Sequence, residues 1–217
     1  MKKKRLAGLT LGLLMFGAAS MAQASLIVDT GPGPIGNVGG RTLTSGNGAQ
    51  WLAAEFSLDQ DYFITDLQGW IYNGDQTGNM FTISIYGDGG DVPDINNLIY
   101  SNGATISGTN LQSNWEGYHI PSGPWGPGLE LAQGDYWVSF ELRTVNYNNP
   151  YSGYMSHPST NPLMNEAFAY NGTWYSSDLD IGVRINGASV PEPTSMVLLG
   201  TGLAGFAGSR LRRKKKA

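Results

Sequence analysis

Between residues 25 and 189 the chain alternates apolar and polar positions with a period of two, in short bursts. "MFTISIYGD" places Phe81, Ile83 and Ile85 against Thr82, Ser84 and Tyr86, and stops at Gly87-Asp88. "DYWVSFELRTV" sets Tyr136, Val138, Phe140 and Leu142 against Trp137, Ser139, Glu141 and Arg143. "DIGVRING" puts Ile181, Val183 and Ile185 on one side and Arg184 on the other. Such runs, bounded by Gly, Asn, Asp and Pro, predict strands and turns. "WLAAEFSL", "YFITDLQGWIY", "NWEGYHIP" and "EAFAYN" are further strands, and "GLELAQGDYW" is a hairpin or tight connection turning at Gly134-Asp135. Several strands end on an aromatic followed by a turn: "IYNGD" at 71, "IYGDG" at 85, "IYSNG" at 99 and "AYNGTW" at 169. No long 3.6-residue pattern interrupts them. The expected fold class is all-β, an antiparallel β-sandwich of jelly-roll type.

The two ends break this pattern. Lys2, Lys3, Lys4 and Arg5 precede an apolar run, and Ala22-Gln23-Ala24 supplies the small residues of a cleavage site before Ser25. This is the layout of a secretory signal peptide, residues 1–24, removed by signal peptidase. At the other end Val190, Pro191, Glu192 and Pro193 form an extended stretch, since proline cannot continue a helix. Thr194 to Gly208 is apolar and glycine-rich, and as a helix spans roughly 22 Å. That is marginal against a hydrocarbon core of about 30 Å. Six basic residues then follow within 210–216, and these stay cytoplasmic. Residues 194–208 are thus expected to anchor the chain transiently in the inner membrane. The organisation is 1–24, 25–189 and 190–217, a sandwich flanked by a signal helix and a membrane helix.

The Pro-Glu-Pro stretch, the short Gly-rich run and the basic terminus together resemble the PEP-CTERM sorting signal. The resemblance implies an exported protein of a Gram-negative bacterium that makes exopolysaccharide, with a tail recognised and processed by exosortase. The same tail pattern is also labelled an ice-binding-protein C-terminal domain, but the scattered threonines of this chain form no ice-matching array. The order "AAEFSL", "GWIY", "ISIYGDGGDVP", "GDYWVSFE", "DIGVRING" is similar to the β-sandwich domain that precedes such tails, which supports the fold rather than an activity.

Composition sharpens this. Residues 25–189 hold sixteen acids against Arg41, Arg143 and Arg184, a net charge near −13, and no lysine. Such a surface repels nucleic acid and anionic lipid. It suits solubility, cations, or neutral partners such as the exopolysaccharide. The chain has no cysteine, so neither disulfides nor thiolate chemistry enter.

Candidate chemistry is sparse. His119 and His157 are the two histidines, and neither sits in a catalytic motif. No nucleophile elbow or zinc-binding helix motif is present. A glycan-acting hydrolase would use paired carboxylates, which sequence alone does not single out. The loop "GDGGDVPD" offers Asp88, Asp91 and Asp94 as calcium ligands, or as residues that cap a turn. Trp115, Trp125 and Trp174 lie in polar, turn-rich stretches, where exposed rings would stack on sugars. Asn171-Gly172-Thr173 fits an N-glycosylation acceptor, of little meaning in a bacterium without that machinery. The expectation is a structural or binding protein of the cell surface or matrix, not an enzyme, with a calcium-assisted glycan-binding module as the alternative.

Overall fold

The computed structural model describes residues 24–35, 41–44, 49–109, 111–121, 128–143 and 150–190. Thirteen strands and no helix occur among them. They are β1 (Ser25–Asp29), β2 (Arg41–Leu43), β3 (Gln50–Leu58), β4 (Tyr62–Tyr72), β5 (Met80–Asp88), β6 (Pro93–Thr105), β7 (Ser113–His119), β8 (Leu129–Leu131), β9 (Gly134–Glu141), β10 (Gly153–Met155), β11 (Glu166–Tyr170), β12 (Thr173–Ser176) and β13 (Val183–Ser189). The expected signal helix, the expected membrane helix, Ala22, Trp125, Pro191, Glu192 and Pro193 lie outside the described residues. Among the described residues no helix is long and apolar enough to cross a membrane.

The strands form two antiparallel sheets. One has the order β12-β11-β3-β9-β5-β6. The other is built on β4. Along one edge β4 pairs with β13 and β10, along the opposite edge with β7 and β8, and β1 and β2 extend the sheet outward from β13 and β10. The apolar faces predicted from the alternation meet between the sheets: Leu52, Ala54, Phe56, Ile64, Leu67, Ile71, Phe81, Ile83, Ile85, Val138, Phe140, Ile181, Val183 and Ile185 are buried. Each large side chain removed from water in this way contributes about 1.5–3 kcal/mol. The sheets approach closely where Phe140 crosses the gap. A Cβ on Gly69 would stand 2.6 Å from its ring, so any larger residue at this inward position of β4 would push the ring aside.

Two expectations need correction. Leu129–Leu131 and Gly134–Glu141 are not a hairpin. β8 pairs with β4 and β9 with β3 and β5, so Ala132-Gln133 is the tight connection that carries the chain between sheets. Tyr100 does not end a strand: β6 continues through Ser101, Asn102 and Gly103, because their ladder to Ser84, Ile83 and Thr82 outweighs local turn preference. The Asn171-Gly172 turn does form. Both residues take positive φ, 51° and 81°, and β11 and β12 pair across them.

Candidate functional site

Strand direction gathers the acidic side chains. β3 ends, β9 begins and β5 ends at the same pole, since Leu58 faces Gly134 and Gly87 faces Tyr136. Side chains at outward positions there belong to Glu55, Asp135 and Asp88. One carboxylate oxygen of each lies within 4.8 Å of the other two. Two oxygens bound to one calcium ion at about 2.4 Å can stand no farther apart than about 4.8 Å, so the trio meets that limit. Each carboxylate is also oriented by a neighbour. Asn165 donates to Glu55 Oε2, Ser57 to Asp135 Oδ1, and Trp137 Nε1 to Asp88 Oδ1 at 3.2 Å.

Glu55 and Asp135 also line an open groove of about 690 Å³. One wall is β1 at Ile27–Thr30 and the other is the segment before β11, with Asn161, Leu163, Met164 and Asn165. The groove opens where the β11 ladder on β3, Gln50 to Ala54, gives way to a single further backbone bond, from the Glu55 amide to the Asn165 carbonyl at 2.9 Å. Acids, amides and apolar surface are interleaved there, a lining suited to a hydroxyl-rich ligand.

The calcium loop is placed differently from its sequence reading. Among the described residues, Asp88 alone of its aspartates joins a carboxylate group close enough for a shared ion, and its companions are Glu55 and Asp135 rather than Asp91 and Asp94. Asp88 accepts from the Gly90 amide at 2.8 Å and Asp94 from the Asn96 amide at 2.9 Å. These side chains cap backbone donors in turns. Chain spacing could not reveal Glu55 and Asp135, because antiparallel pairing brings them to Asp88 from 33 and 47 positions away. The only sequence signal was their outward phase near the ends of predicted strands.

The tryptophans are largely spoken for. Trp174 is 9% exposed, packed 6.3 Å from the Trp51 ring and 6.4 Å from Tyr86. It therefore presents no free face for a sugar. Trp115 is half-buried, edge-on to Trp70 at 5.3 Å, and the Arg184 guanidinium sits 4.1 Å from its ring centroid. With Trp137, Tyr86, Ala53, Ala167 and Ala169, Trp174 forms a second apolar cluster on the outer face of the six-stranded sheet. Beneath it Glu141 is fully buried. Tyr86 and Ser139 donate to its Oε1 at 2.8 and 2.6 Å, and Arg143 pairs with its Oε2. Arg143 also donates to the Tyr86 hydroxyl at 2.7 Å and stacks on Trp51. Burial first, and then the Glu141 charge, hold the Tyr86 phenol well above its ordinary pKa. This network is closed on itself and braces the sheet.

The histidines stand apart from the groove lining. His119 Nδ1 lies 2.9 Å from Asp66 Oδ1, with its side chain 70% exposed. His157 precedes Pro158 through a cis peptide bond, and burial followed by Arg41 lowers its pKa.

β13 leads directly into the C-terminal segment. The chain carries a PEP-CTERM protein-sorting motif. The match covers residues 189–214, so it begins on the last residue of β13. A comparison with curated proteins finds no match. The motif marks an exported protein of the bacterial cell envelope or surface and implies an exosortase as its processing partner.

Proposed function

We propose that the sandwich is a non-catalytic cell-surface or exopolysaccharide-matrix protein of a Gram-negative bacterium, held briefly in the inner membrane by residues 194–208 and then processed. The observation that carries this reading is continuity: the sorting motif starts where the sandwich ends, so residues 25–189 are its cargo. Signal peptidase acts on the Ala22–Ser25 end and exosortase on the Val190–Pro193 end.

A second reading, a glycan-binding module, is favoured by the groove beside β1. Sugar hydroxyls would donate to Glu55 and Asp135 and exchange hydrogen bonds with the Asn161 and Asn165 amides. A calcium ion on Glu55, Asp88 and Asp135 would neutralise that end of the groove. The test is binding of the mature protein to the host's own exopolysaccharide, with calcium and then with chelator, while reducing ends are assayed. Saturable binding supports the module, and loss of binding in chelator assigns the cation to the trio. No binding in either condition refutes the module and leaves a passive surface protein. Release of reducing ends would overturn the non-catalytic reading and turn attention to Glu55 and Asp135 as a carboxylate pair.

A further inference from the structure

The fold does not stop before the sorting motif; it holds the motif's first residues. Ser189 is paired with Tyr62, and the Val190 amide donates to the Asp61 carbonyl at 2.9 Å. Only Pro191, Glu192 and Pro193 separate this last rung from Thr194, where the apolar run begins. Three extended residues span about 10 Å at most. A protease takes its substrate as an extended chain whose backbone groups pair with the cleft. A residue already paired to a neighbouring strand cannot offer the same groups twice.

The end of β13 is built to let go. A register shift between Asn186 and Gly187 interrupts its ladder with β4. On the other edge β1 reaches only to Gly187, through the Ser25–Gly187 pair. Upstream of the shift β13 therefore lies between two strands and buries Val183 and Ile185. Downstream, the pairing seen among the described residues for Ala188 to Val190 is on the β4 side, and Ala188 is a small buried side chain. Segments with few buried contacts and one-sided ladders open far more often than the whole fold.

We propose that Ala188–Val190 is a release strap. The processing enzyme engages the tail only after these rungs peel from β4, so the opening of the strap sets the rate of tail removal. The inference rests on residues 190–217 being a processed sorting tail that enters the membrane at Thr194.

The experiment uses the full precursor in an exosortase-bearing host, with tail loss followed by pulse-chase and intact mass. The chain has no cysteine of its own, so an introduced pair can bond only to itself. Tyr62→Cys with Ser189→Cys staples the last paired rung. Asp66→Cys with Asn186→Cys staples a rung upstream of the shift. The first staple is expected to slow tail loss by about tenfold or more, with recovery in reductant, while the second leaves it unchanged. A six-residue Gly-Ser spacer between Ser189 and Val190, which leaves the ladder through Ser189 intact, is expected to speed it. Wild-type rates with the first staple and the spacer overturn the strap alone. A wild-type precursor that keeps its tail overturns the processing reading, and the strap with it.

Discussion

Glu166 gives the sharpest physical test of the fold. It sits in β11, 3% exposed, and its carboxylate accepts the backbone amides of Leu179 at 2.7 Å, of Asp180, and of Ile181 at 3.0 Å. Asp180 takes a positive φ of 54°, which helps aim these successive N–H groups at one point. The carboxylate thus ties the six-stranded sheet to the segment that becomes β13. Burial raises its pKa from 4.5 to about 7, against the three amide bonds, which pull it down. The folded protein therefore binds a proton that the unfolded chain has released between those two values. Stability from this group is complete below about pH 4.5 and is lost as pH rises through 7. The difference corresponds to roughly 3 kcal/mol. Other carboxylates also titrate across this range, so the isosteric Glu166→Gln substitution is the reference. At pH 4 both side chains are neutral, and the two proteins should differ least. By pH 8.5 the Gln variant should have gained up to about 3 kcal/mol relative to wild type. Urea unfolding at a series of pH values measures this gap. A gap that stays constant from pH 4 to 8.5 would refute the reasoning, because it would mean that the three amides cancel the burial.

Two further perturbations probe the outer face of the six-stranded sheet, and a third, at Trp115 in β7 of the other sheet, serves as the comparison. Arg143→Ala should destabilise by about 3 kcal/mol, because it leaves the Glu141 charge buried with only Tyr86 and Ser139 as donors; a urea midpoint within error of wild type would show that solvent reaches Glu141. Trp174→Ala should cost about 3–5 kcal/mol, and Trp115→Ala, at a half-buried site, distinctly less. Equal losses in thermal unfolding would contradict the burial difference between them.

What the sequence revealed depends on whether a residue's neighbours are set by phase or by pairing. β5 could be read to its observed limits, Met80–Asp88, because its alternation is strict and Gly87-Asp88 marks its end. The turn at Asn171-Gly172 was equally plain, since both residues tolerate the positive φ that it needs, whereas the strand beyond it, β12, was not read. β6 was not, although it is 13 residues long. It is an edge strand, so Ile95, Leu98 and Ile99 remain exposed and make no core pattern. β2 and β10, at three residues each, are held by their ladders and carry too few positions for any periodicity. The positions of β9 set against its apolar face carry a mixed side, Trp137, Ser139 and Glu141, and all three are fully buried. That burial follows from β12 lying two strands away from β3 in space, which lets Trp174 pack over the sheet. The acidic site obeys the same rule. Asp88, Asp91 and Asp94 are close in the chain, but Asp88 and Asp94 turn to nearby backbone amides, and Asp88 also closes β5 beside the start of β9, where Asp135 stands. In an antiparallel sheet the end of one strand meets the start of the next. Carboxylates at outward positions there converge whatever their separation in sequence, so the strand order had to be known before the trio could be named.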